Sequence, residues 1–472
     1  MPLQNSLKTI AGVTFEELYE RAGLVKLNAK FEEYLQVKNT ELFQKFSTLK
    51  QGIDFITAPQ KSQILIDVAR ILEDFIAELF DIEKENSELK KRHEDLKKIY
   101  LVRREFVQRV VSKKFTEVAS DVDGINILKE LEISYDDVDE LEKCLAEKIF
   151  AEENLELLTT YSTWALYSQA GRRLHKNGAL FILPKKIDHQ NLVSSCSEKS
   201  KRNQSQVESQ GGFNLTDNGF KLNRVLAEAN YCIFCHKQEK DSCSSGIKEK
   251  DSQNLKFDPL GVELHGCPLD EKISEMNLLK SEGFSLAAFA IAVVDNPMIA
   301  GTGHRICNDC MKSCIYQKQD PVDIPQIETR TLKDVLALPY GFEIYSLLTR
   351  WNPLNLAKNL PQENSGKKIL IAGLGPAGYT LAHHLLNDGH IVVGIDGLKI
   401  EPLNPEISGI DELGNRKKFK PIKFLDEIYE PLSSRLIYGF GGVAEYGITV
   451  RFDKNFLKPV SFCQAFPLKV SV

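Results

Sequence analysis

The sequence predicts an α + α/β protein: a helical N-terminal domain, a second helical domain rich in cysteine, and a partial doubly wound domain. Three observations carry this. Apolar residues recur at helical spacing through most of residues 1–193, seven cysteines fall between Cys232 and Cys314, and Lys367–Asp396 reads as strand, glycine-rich turn, helix and strand. Composition sets the boundaries: 1–193 helical, 194–222 a polar linker, 223–355 the cysteine domain and 364–472 the α/β domain.

The bulk properties narrow the field. Of 472 residues, 42% are hydrophobic and 27% charged, an ordinary balance for a globular chain, and the net charge of −6 gives no general reason to expect nucleic acid or an anionic membrane as partner. Met1–Lys8 lacks the apolar core of a signal peptide and no later segment sustains a membrane-spanning apolar run, so the expected location is the cytoplasm. Ten cysteines are too few for a disulfide scaffold in a chain this long. Their clustering in a reducing compartment points to metal or redox chemistry.

In the first domain, helical spacing recurs in Phe31, Tyr34, Leu35 and in Ile64, Val68, Ile71, Leu72, Phe75, Ile76, Leu79. A heptad run can be drawn through Phe75, Leu79, Ile82, Asn86, Leu89, His93, Leu96 and Tyr100. It places Asn86 and His93 in the seam, so a long amphipathic helix is expected ahead of a short coiled coil. Tyr161, Trp164 and Tyr167 form an aromatic patch expected in a core. This region shows no catalytic constellation. From Ser194 to about Leu222 the chain turns polar, with Gly211-Gly212 inside it, and reads as a flexible linker.

The cysteine block opens with Cys232-Ile233-Phe234-Cys235. Cys243 and Cys267-Pro268 follow, and Cys307, Cys310 and Cys314 close it. Two C-x-x-C pairs let thiolates reach one centre from tight turns whose amides can bond sulfur, an arrangement that iron–sulfur clusters and zinc both use. The C-x-x-C-x-x-x-C run, the Cys-Pro pair and a nearby dinucleotide fold favour clusters, because a flavin needs somewhere to pass electrons. Seven thiolates are one short of two four-ligand clusters. His236, next to Cys235, could complete a zinc site or a haem-attachment C-x-x-C-H, though either signal alone is weak.

The Rossmann-like unit is complete in its local signals. In Gly373-Leu374-Gly375-Pro376-Ala377-Gly378 the first glycine allows the tight turn and the second lets backbone approach a pyrophosphate. Gly378 lets helix and strand pack closely, Pro376 suits a first helical turn, and the free amides of the helix start, Ala377 among them, face phosphate. Asp396 ends the second strand where an acidic residue can accept from a ribose hydroxyl.

Cys267-Pro268, Asn296-Pro297, Gly303-His304-Arg305-Ile306-Cys307, Cys310, Cys314 and Pro321–Glu328 occur in one order, which resembles the N-terminal iron–sulfur domain of the glutamate synthase small subunit and of dihydropyrimidine dehydrogenase. Gly373, Gly375 and Gly378 fall where that family has its FAD-binding turn, and Gly441–Ile448 resembles its Gly-Gly…Tyr-Gly-Ile segment near the flavin. The likeness covers about residues 225–460. It implies a helical iron–sulfur domain and a partial Rossmann-like FAD-binding domain. It further implies a flavoprotein oxidoreductase in which NAD(P)H reduces FAD and electrons pass through [4Fe-4S] clusters to an acceptor.

Carried over residue by residue, the resemblance makes Cys232, Cys235, Cys243, Cys267, Cys307, Cys310 and Cys314 cluster ligands, with Glu328 at the position of an eighth. Gly442 and Gly447 join the glycine turn and Asp396 as flavin contacts. No catalytic residue is singled out. The chain departs from the family in three ways: a polar insertion separates Cys243 from Cys267, no proline follows Cys307, and no second G-x-G-x-x-G/A unit supplies a nicotinamide-binding domain. Either a second chain supplies that half, or the chain is a fragment that no longer turns over; the other expected partner is an electron-accepting subunit. The alternative function is a non-catalytic fragment or zinc-binding interaction module.

Overall fold

The computed structural model describes residues 12–52, 56–117, 122–188, 219–250, 252–302, 307–396, 405–409, 411, 415, 417–427 and 461–464. The fold is mostly helical, with one small parallel sheet. Among the described residues, no helix is long and apolar enough to cross a membrane.

Helices α1 (Arg21–Lys38), α2 (Thr40–Lys50), α3 (Ala58–Phe80) and α4 (Glu83–Val102) begin the chain. Their ends follow from local chemistry. The Asn39 side chain accepts from the Leu42 amide at the start of α2. Thr57 and Gln60 close a capping box ahead of α3, with Pro59 in its first turn. Asp81 then adopts a left-handed conformation at φ 55° and stops α3. The heptad run is therefore broken at Asp81 and divided between two helices, so there is neither one long helix nor a coiled coil. Its two polar seam residues are nonetheless buried. Asn86 Nδ2 donates to Glu73 Oε1 at 3.0 Å, and His93 Nδ1 lies 2.8 Å from the Leu89 carbonyl oxygen.

One core runs through both ends of the helical region. Phe31 and Phe75, from α1 and α3, meet edge-on, and Phe31 meets Trp351 at a centroid distance of 6.0 Å and 81°. Trp351 is fully buried and donates through Nε1 to Asn28 Oδ1 at 3.2 Å. The helix Ser285–Asp295, nearly all apolar, lies buried in this same core, where α3 is its neighbour. A second core gathers Tyr100, Val107, Leu141, Leu145, Tyr161 and Trp164, so the aromatic patch is core as expected. There Glu142 is buried and accepts from the amides of Ala179 and Leu180 at 2.5 and 2.7 Å and from His175 Nδ1 at 2.8 Å. At its edge α4 runs on into a π-helical segment, Arg103–Val111.

The sheet has order β1-β2-β3, all parallel, with β1 Lys368–Ala372, β2 Ile391–Asp396 and β3 Ser461–Gln464. Lys368 pairs with Ile391 and Val393 with Ser461. The helix Pro376–Asn387 connects β1 to β2 and packs Tyr379, Ala382 and Leu386 on Ile371 and Val392. Parallel neighbours require such a crossover. Leu370 in β1 remains 62% exposed, so this sheet is covered on one face only among the described residues.

Candidate functional site: two groups of thiols and a glycine turn

Cys232 ends the helix Leu222–Tyr231, and the chain turns sharply there because Phe234 takes φ 56°. That turn aims the Phe234 amide at Cys232 Sγ, 3.4 Å away. Cys235 opens a short 3₁₀ turn, and Cys243 sits in the short helix Ser242–Ser245. The Cys267 amide donates to the Cys243 carbonyl at 2.8 Å, bringing the far side of the polar insertion back to the block. Cys310 lies in the turn of helix Asp309–Lys312, with Cys307 just before it and Cys314 just after.

The thiols divide into two groups that cut across their order in the chain. The Cys243 thiol is influenced most by that of Cys314 and also by Cys232, and Cys232 and Cys235 in turn feel the charge of Cys314. The Cys243 thiol, with backbone amides of Tyr316, Val322 and Ile315, holds the Cys314 thiol below its usual range. Burial pushes the Cys232 thiol up to about 11 and the Cys235 thiol up to about 12. Cys267, Cys307 and Cys310 form the second group, and Glu328 is felt by Cys267 and Cys310. Glu328 is itself buried and bonded to the carboxyl of Glu271, and burial raises both. Among the described residues, no three histidine, cysteine, aspartate or glutamate side chains already stand as a set that could hold one metal ion. The thiols are thus neighbours in two groups rather than closed ligand spheres.

Two carboxyls in this region had no sequence signal as site residues. Glu271 is 1% exposed and lies beside Glu328. Asp241 is pushed up to about 7 by burial and by the charge of Glu275, and it is felt by Cys235 and Cys243. Only their nearness to Cys267 and Cys243 in the chain hints at either. His236 is buried, with Nδ1 2.7 Å from Ser274 Oγ.

The glycine turn follows β1. Gly373 has φ 91° and donates its amide to the Ile395 carbonyl at 2.7 Å. A Cβ on Gly378 would stand 1.8 Å from the Gly373 carbonyl oxygen, so only glycine fits. Gly375 has an ordinary φ of −65°, and a Cβ there would meet no atom within 4 Å. Space is therefore open in front of Gly375, at the start of the helix that Pro376 and Ala377 begin. Asp396 closes β2 in register with Gln464, while its side chain, and all of Gly442 and Gly447, lie outside the described residues.

Comparison with known proteins places the chain in a family. Residues 9–81 match the family described as the RP005 N-terminal alpha-helical domain. The chain is 31% identical to the uncharacterized protein RP005 of Rickettsia prowazekii over 296 residues, which is 57% of this chain and 96% of RP005. It belongs to the RP005 family. It is also 58% identical to the uncharacterized protein RP006 of the same organism over 158 residues, 34% of this chain but 21% of RP006. A weaker likeness, 33% over 142 residues, joins it to the glutamate synthase [NADPH] small chain of Bacillus subtilis, covering 29% of this chain and 26% of that one. The chain thus spans about a fifth of RP006 and about a quarter of the glutamate synthase chain.

Proposed function

We propose that the chain is a component of a flavin- and iron–sulfur-dependent oxidoreductase, taking electrons from NAD(P)H at FAD and delivering them through two [4Fe-4S] clusters to an acceptor. The observation that carries this is the division of the thiols. Cys314 goes with Cys232, Cys235 and Cys243, and Cys267 goes with Cys307, Cys310 and Glu328. Four soft donors, and three with a carboxylate, give each of two centres a complete ligand count. The partial similarity to a glutamate synthase small chain supports the same reading.

The residues present fit these groups by chemistry. In the first set, the amides of Phe234, Ile315, Tyr316 and Val322 stabilise negative charge on sulfur. In the second, the amides of Leu269 and Glu271 do so for Cys267. Burial of Cys235, Cys243, Cys310 and Cys314 keeps water from them. Gly373, Gly375 and Gly378 leave the helix start at Pro376 open to a pyrophosphate, as FAD requires. When bound, flavin would accept hydride and clusters would carry single electrons.

The test is the visible spectrum of anaerobically purified protein before and after dithionite, with iron and acid-labile sulfide assayed on the same sample. Broad sulfur-to-iron absorption that bleaches on reduction, with flavin bands beneath it, is the expected result. A colourless protein containing zinc, or no metal, would overturn the reading in favour of an interaction module.

A further inference from the structure

Beside the first thiol group, with Cys232 in its wall, lies a cleft of about 730 Å³. It opens between the π-helical segment Arg103–Val111 and the start of the cysteine block. That volume is typical of small-molecule sites, and π-helical turns recur at functional sites. Its lining includes Arg103, Arg104 and Arg109, and no aspartate or glutamate.

The positive charge is only partly offset. Arg103 is 5% exposed and donates from Nε to the Ile182 carbonyl at 3.1 Å and from one terminal nitrogen to the Ala227 carbonyl at 3.4 Å. It has no carboxylate within ion-pair distance among the described residues, the more distant Glu228 being its main opposing charge. Arg104 and Arg109 share one carboxylate, Glu105, at 2.8 and 2.5 Å. Three guanidinium groups thus line the cleft, with Glu105 paired to two of them and Glu228 at longer range from the third. Burying a cation without a partner is costly unless something anionic completes the site.

The opposite wall is aromatic and rigid. Tyr231 and Tyr316 stack with centroids 4.3 Å apart and planes 7° from parallel. Both hydroxyls are engaged, Tyr231 donating to the Asp320 carbonyl at 3.0 Å and Tyr316 to the Tyr231 carbonyl at 3.1 Å. The hydroxyl bonds hold both stacked rings in place, and Phe234 lines the same cleft.

We propose that this cleft binds an aromatic polyanion with the chemistry of a nucleoside diphosphate. Arg103, Arg104 and Arg109 take its phosphates, and Tyr231, Tyr316 and Phe234 take its ring. The assignment is independent of what the glycine turn holds, while Cys232 in the wall sets the ligand next to the first thiol group.

The experiment is arginine footprinting of the full chain with phenylglyoxal, read by peptide mass spectrometry, with ADP, pyrophosphate or adenosine present. Arg104 and Arg109 have side chains 56% and 61% exposed and are open to the reagent. ADP is expected to protect both. R104Q/R109Q, whose exposed positions spare the fold, is expected to weaken ADP binding about tenfold or more, as loss of charge-assisted contacts does. Absence of protection at millimolar ADP overturns the proposal, even if ADP binds elsewhere, as at the glycine turn. Equal protection by pyrophosphate and ADP overturns it too, because the ring would then contribute nothing.

Discussion

The Cys314 thiol interacts with that of Cys243, far back in the chain, while Cys310, one helical turn before it, lies with Cys267 and Glu328. Two thiols that read as one motif therefore stand in different groups. The expected consequence is that C314S and C310S each remove about half of the bound iron, and different halves, following the four-donor count per cluster. Electron paramagnetic resonance of the reduced variants should leave a different signal in each. Identical residual spectra would mean the two groups are one site.

Gly375 and Gly378 separate folding from binding. Gly375 has a backbone any residue adopts and open space at its Cβ, so G375A should leave thermal stability nearly unchanged. G378A forces a Cβ against the Gly373 oxygen and should lower stability by about 1–3 kcal/mol, the range of an overpacked substitution. Flavin content should fall in both. A G375A protein that retains full flavin removes the glycine turn from the binding site.

Much of this was legible in the sequence, and the limits have physical causes. The strand, turn, helix and second strand follow from local apolar runs and glycines, so Lys368–Ala372, Pro376–Asn387 and Ile391–Asp396 fall where expected. The break at Asp81 was hidden because the apolar spacing continues across it, and no glycine or proline marks the left-handed residue. The packing of Phe31 on Trp351 depends on contacts more than three hundred residues apart, which periodicity does not encode. Glu271, Asp241 and Arg103 look like surface charges in sequence. Their burial comes from elements that approach from elsewhere in the chain.

Lys280 and Asp334 form an ion pair with almost no exposure, 0% and 4% at the side chain, which Ser285 and Arg330 extend. Burial pushes the Asp334 carboxyl up, but Lys280 and Arg330 outweigh it and hold the group below its ordinary range. D334N strands the lysine charge in the core and is expected to cost about 3–5 kcal/mol by chemical denaturation. Removing both charges in K280M/D334N should recover most of that loss. A double variant no more stable than D334N would show that the pair acts through packing rather than charge.

His93 supplies a pH dependence whose sign is fixed. It is buried in the first core near Lys280, and burial, reinforced by the Lys280 charge, pulls its pKa down to about 3. In the unfolded chain the ring titrates near its ordinary 6.5. Between those values the unfolded state binds the extra proton, so stability falls as pH drops below about 6.5 and the loss continues toward about 3. The slope from this one group approaches about 1.4 kcal/mol per pH unit. H93Q keeps a polar side chain but cannot take up that proton. Its stability between pH 6 and 4 should therefore decline less steeply than that of the parent by about that slope, measured by urea unfolding at each pH. Parallel curves for the two proteins would show that His93 charges as readily folded as unfolded, and would place the acid sensitivity of the core elsewhere.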